Sequence, residues 1–237
     1  MTLRPVSLAL ALLFAPLAAT AGPVADFETA YRDAYATYRK ALFLTNSGDT
    51  AGSAEAAHAL SDKWTALRDS WEAAPPPHYE DDPGWRDTLV QVAWLINRSS
   101  GQIVEGDLNG AHETLEGVRE ELAALHDRNG IESFSDRMNA YHAEMEHVLM
   151  TDLSTLDAAA IDALQERAAL LHYLARDLLA APPPEGRDNP DFDALAKTFE
   201  ASVAAFLAAA RAGDAEAIRK AAAGLKKPYA RLFVKFG

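Results

Sequence analysis

An all-α fold is predicted for this chain of 237 residues, built as two tandem antiparallel four-helix bundles, eight helices in all. Three observations predict it. Apolar residues recur every three to four positions almost throughout, which is the period of a helix with one buried face. Strand-like alternation is absent. The punctuation of the chain also repeats: AAPPPHYEDDPGW at 73–85 returns as AAPPPEGRDNPDF at 180–192, an offset of 107.

The first segment, MTLRPVSLALALLFAPLAATA, has a single early cation at Arg4, an apolar run from Val6 to Leu17 and the small-x-small triplet Ala19-Thr20-Ala21. It reads as a secretory signal peptide over 1–21, cleaved after Ala21, whose apolar core is shorter than the roughly 20 residues that span a bilayer. The expected location is periplasmic or secreted. The expected mature chain is soluble, with no membrane insertion.

Copy one is assigned to 24–130. Its first stripe is Phe27, Tyr31, Ala34, Tyr38 and Leu42, and the turn residues Asn46-Ser47-Gly48-Asp49 end it. A second stripe follows in Ala57, Leu60, Trp64, Leu67 and Trp71, closed by prolines that cannot continue a helix. Trp85, Leu89, Val92, Ile96 and Ile103 make the third. The fourth is Leu108, Leu115, Leu122 and Leu125, opened by Asp107, a residue type suited to cap a helix N-terminus.

Copy two, 131–237, follows the same plan. Its stripes are Phe134, Met138, Tyr141, Met145 and Leu149; Leu164, Leu171 and Leu178; Phe192, Leu195, Phe199 and Phe206; and Ile218, Leu225, Tyr229, Leu232 and Phe236. Without any gap, Phe27 falls on Phe134, Gly106-Asp107 on Gly213-Asp214 and Gly130 on Gly237. About twenty of the paired positions are identical, which reads as an internal duplication.

Composition narrows the function classes. Without Arg4 the chain holds 21 basic against 35 acidic residues, net -14, which excludes nucleic acid and anionic lipid as natural partners. No cysteine is present, so disulfides, thiolate metal sites and CxxCH haem attachment are all excluded. No GxSxG elbow or phosphate-binding glycine loop points to an enzyme.

The helical layout, the unit size and the export signal resemble the periplasmic four-helix-bundle cytochromes of the cytochrome b562 and cytochrome c-prime class, here duplicated and lacking CxxCH. The resemblance is architectural and covers the whole mature chain. It implies haem b held without covalent attachment, by a Met early in a first helix and a His late in a fourth. Met138 and His126 occupy those positions, but in different copies. Their counterparts within each copy are Phe233, facing Met138, and Tyr31, facing His126.

Independently of the resemblance, Met138, His142 and Met145 have the spacing i, i+4, i+7 and could reach one soft ion such as copper. The same three positions of copy one hold Tyr31, Tyr35 and Tyr38, so core filling is the competing reading. Glu55 with His58 and Glu144 with His147 read as solvated helix faces, and Met150 points away from the Met138 stripe. The last helix is the other asymmetry. Residues 219–237 carry six cations and no acid, where 112–130 carry five acids and two cations. Lys226, Lys227 and Arg231 are therefore candidate contacts to the acidic fourth helix of copy one or to a periplasmic protein partner. The function expected is a non-enzymatic binding or interaction module, with a haem or copper carrier as the alternative.

Overall fold

The computed structural model describes residues 22–237, and the stretch read as a signal peptide lies outside them. Among the described residues the fold is all-helical. The first half holds α1 (Pro23–Ser47), α2 (Thr50–Trp71), α3 (Trp85–Glu105) and α4 (Leu108–Arg128). The second holds α5 (Phe134–Leu149), α6 (Ala158–Ala180), α7 (Pro190–Ala212), α8 (Ala215–Ala223) and α9 (Lys226–Phe236). None of these helices is long and apolar enough to cross a membrane.

The expected fourth helix of the second half is thus in two pieces. Pro228 stands four residues after Gly224 and has no N–H to donate to the Gly224 carbonyl, while its ring crowds that turn. The chain leaves α8 at Gly224 and restarts as α9 beyond Leu225.

Elsewhere the punctuation recurs at the expected offset. Short 3-10 turns occupy Pro77–Tyr79 and Pro184–Gly186. Gly106 and Gly213 end α3 and α7 with φ of 82° and 66°, a left-handed conformation that favours glycine. Asp107 and Asp214 then cap α4 and α8 by accepting backbone N–H groups. One connection differs between the halves. Gly48 and Asp49 turn the chain tightly from α1 to α2, whereas α5 ends at Leu149 and α6 waits for the Asp157 cap.

In the first half α1 lies against α2 and α4, and α3 against α2 and α4, which closes a four-membered ring of helices. The second half repeats the sequence α5, α6, α7, α8/α9, and α9 also packs across onto α1. Nearly all the predicted stripe residues are buried; most form one continuous apolar cluster through both halves, while Ala57 and Ile103 form a smaller separate cluster with Ala111, against which Leu108 packs. At about 1.5–3 kcal/mol per fully buried large side chain, this core is the main stabilising contribution. The proline segment of the first half closes its end. Phe27 meets Trp71, His78, Tyr79 and Trp85 at centroid distances of 5.5–5.7 Å, and the Trp85 indole N–H donates to the Trp71 carbonyl.

Candidate functional site

The two halves meet along a seam formed by one face of α1, the end of α4, α5 and α9, and two clefts open on it. The first, of about 850 Å³, lies between α1, the α4–α5 linker, the second proline segment and the end of α9. The second, of about 660 Å³, lies between α4, α5, α9 and the end of α1.

His126 anchors the first cleft. Asp82 fixes the end of α4 by accepting from Arg128 and from the Asn129 amide, so the last turn cannot fray. Across the short linker, Ser133 and Asp136 form a capping box at the start of α5. The same Asp136 oxygen, Oδ2, accepts from the Ser133 backbone N–H at 2.8 Å, from Ser133 Oγ at 2.7 Å and from His126 Nδ1 at 2.7 Å. Burial pushes the Asp136 carboxyl upward, but the His126 hydrogen bond and charge, with those from Ser133, outweigh it and hold the group below the usual carboxylate range. An ionised carboxylate only accepts, so Nδ1 carries the proton. The same ring lines the first cleft, and its Nε2 makes no hydrogen bond among the described residues. The Tyr31 ring stands beside it at 5.6 Å, the counterpart expected from the sequence.

Arg39 is the second anchor. It is 8% exposed and donates to the Lys235 carbonyl and to a carboxylate oxygen of the last residue, Gly237, which ties α1 to the end of α9. Its charge sits 5.7 Å from the Tyr35 ring centroid. Burial, the largest influence on it, lowers the guanidinium below its usual range, with Tyr35 opposing. Nε is buried with no partner, as is the Tyr31 hydroxyl. Burial raises the Tyr31 phenol well above its usual range, so this group stays protonated and available as a donor.

Charge in the first cleft departs from that of the chain. Five Arg and Lys side chains line it against four Asp and Glu, in a protein with far more acids than bases. All four acids are already paired: Glu28 with Arg32 and His78, Asp33 with Lys63, Glu132 with Arg137, and Glu185 with Arg32. Among the cations, Arg187 has no Asp or Glu carboxylate within ion-pair distance among the described residues, while Arg39 meets the backbone oxygen of the last residue, Gly237.

The second cleft takes His142, whose ring lies 5.3 Å from Tyr229 and whose Nε2 is 3.5 Å from Glu146. Burial, with the nearby Arg119, lowers its pKa to about 4, so it is neutral near pH 7. Positions 107 apart line this cleft together: Phe43 with Met150, Arg119 with Lys226, and Ala123 with Ala230.

The residues singled out from the sequence are therefore dispersed. His126 lines the first cleft and His142 the second, while Met138 and Met145 are fully enclosed in the apolar cluster and line neither. Among the described residues no three His, Asp or Glu side chains are grouped so as to hold a metal ion. Met150 is 81% exposed, as its position implied. Glu144 is a correction. Instead of lying on a solvated face it is buried, accepting from Arg167 at 3.0 Å, and only its neighbour His147 is exposed. Lys226, Lys227 and Arg231 are all exposed on α9, and Lys226 reaches Glu146 of α5 at 3.5 Å. Sequence reasoning missed Arg39 and Asp136. For Asp136 the signal was present: a Ser133-x-x-Asp136 capping box one short linker after His126.

No protein-family model, curated protein or solved structure matches the chain.

Proposed function

We propose that the chain is an exported, non-enzymatic binding protein that holds a small organic ligand in the first cleft, between its two halves. The observation that carries this reading is the Asp136–His126 pair. A carboxylate that holds an imidazole through Nδ1, in a ring that lines a cleft of about 850 Å³, is an arrangement that leaves the other nitrogen free for a ligand. The signal-like N-terminus supports export. Placement between two packed units also suits a ligand site, since such seams supply concave walls.

Native mass spectrometry of the protein purified from its export compartment tests this. A bound species of a few hundred daltons is expected, and His126→Ala lowers its occupancy at least about tenfold, the loss of one hydrogen bond to a polarised partner. Retention of the species by His126→Ala contradicts the assignment.

A haem carrier is the second reading, favoured by the same carboxylate-oriented imidazole. In that case His126 is the axial ligand, and Met138 is not expected opposite it, because the thioether is enclosed away from the cleft. A Soret band that disappears in His126→Ala and persists in Met138→Leu distinguishes this case.

A further inference from the structure

We infer that the outer faces of α3 and α7 dock on each other between molecules, so that a partner of this chain is a second copy of itself, joined face to unlike face. On α3 the positions 90, 94, 97, 101 and 104 follow in steps of four and three and so share one side of the helix, where they hold Val90, Trp94, Asn97, Gly101 and Val104. All five are exposed, Trp94 at 49% and Val104 at 86%. Arg98 lies over the Trp94 ring at 5.2 Å and still leaves it half exposed. Single exposed apolar residues are ordinary, but two valines and a tryptophan in one row on an acidic protein mark a contact surface. Gly101 adds to this. Glycine inside a helix is less stable than alanine, and a Cβ there would meet nothing within 4 Å, so no neighbour in the chain needs the space. A second helix laid along the row does need it, because its backbone can then come close beside Trp94.

The matching row of the second half supplies the complement. At the offset of 107, Lys197, Ala201, Ala204, Ala208 and Arg211 of α7 stand where the α3 residues do, and all five are exposed. Three alanines make a shallow floor between two cations. The bulkier α3 row is flanked at its ends by the exposed carboxylates Asp87 and Glu105. None of these four charged groups has an ion-pair partner among the described residues; their neighbours Arg86 and Asp191 are paired instead with Glu72 and Lys235. Whichever way the two helices run, an end carboxylate of α3 meets an end cation of α7, and such local complementarity sets the partner. Pairing α3 with α3, or α7 with α7, brings only like charges together at these ends. Within one molecule α3 packs on α2 and α4, and α7 on α6, α8 and α9. The two rows line neither cleft, so this surface is separate from both.

Sedimentation velocity on the mature chain, from micromolar to near-millimolar concentration, tests this. The mass is expected to rise with concentration, as a contact between unlike faces closes into a ring or extends as a row. Trp94→Glu and Ala204→Glu, both at exposed positions and checked for folding by thermal midpoint, should each weaken association at least about tenfold. Mixed together, the two variants are expected to form a one-to-one dimer and stop there, because each retains the face that the other has lost. A monomer at every concentration overturns the inference. Association of Ala204→Glu equal to that of the unaltered chain, with no complex gained on mixing, places the contact on α3 alone and overturns the pairing with α7.

Discussion

Replacing Asp136 by alanine is expected to lower the unfolding free energy by about 3 kcal/mol, measured as a shift of the denaturant midpoint with unchanged slope. Two losses combine. The N-cap of α5 loses half of its capping box, about 1 kcal/mol. His126, 4% exposed, keeps an N–H that no longer has an acceptor, worth about 1–3 kcal/mol. Asp136→Asn retains one acceptor and should cost about half as much. The pH dependence follows from the lowered carboxyl: the stability it contributes is fully present above its unfolded value of 3.8 and disappears as pH falls through the still lower folded value. A loss under 1 kcal/mol for Asp136→Ala would show that the joint between the halves does not depend on this residue.

His142 gives the second large effect, and it lies in a milder pH range. Its folded pKa of about 4 is below the ordinary 6.5, so between those values the unfolded chain binds more protons than the folded one. Stability therefore falls as the solution is acidified from pH 6.5 toward 4, by about 2–3 kcal/mol for this group. The groups that face it are Arg119 and Lys226, which oppose its protonation, and Glu116 and Glu146, which favour it. Tyr229 covers one face. His142→Phe keeps an aromatic ring at the seam and should abolish the loss between pH 6.5 and 4.5, compared by denaturant midpoints. An unchanged pH profile in that variant places the acid sensitivity in other groups.

Much of the fold was legible because its signals are local. Triple prolines, the Gly106-Asp107 and Gly213-Asp214 pairs and the 3.6-residue stripes act within one or two turns of the chain, and the helices begin and end at them. Pro228 and Gly224 carried the break between α8 and α9 by the same kind of rule, yet the Leu225, Tyr229 and Leu232 stripe continues across it and conceals the interruption. Arg39 was not legible. It neighbours Tyr38 on α1 and reads as a solvated cation, while its partners, Lys235 and Gly237, lie nearly the whole chain away. Glu144 failed for the same reason, its partner Arg167 being on the next helix.

The methionines show the converse. Their spacing suggested a soft-metal cluster, but Met138 and Met145 occupy inward positions equivalent to Tyr31 and Tyr38, and full burial is what a stripe residue of a bundle receives. Thioethers suit that place because an unbranched, flexible side chain fills irregular space between helices. His142 shares their stripe only at its edge, which is why it reaches the second cleft and they do not.

The most direct measurement of the binding role is hydrogen exchange on the protein as exported, compared with the same protein unfolded and refolded without ligand. If a ligand occupies the first cleft, amides in four separate segments, 28–39, 131–137, 180–187 and 235–237, exchange more slowly in the exported protein. Identical exchange in all four segments, or protection confined to 112–123 and 142–150 around the second cleft, contradicts it.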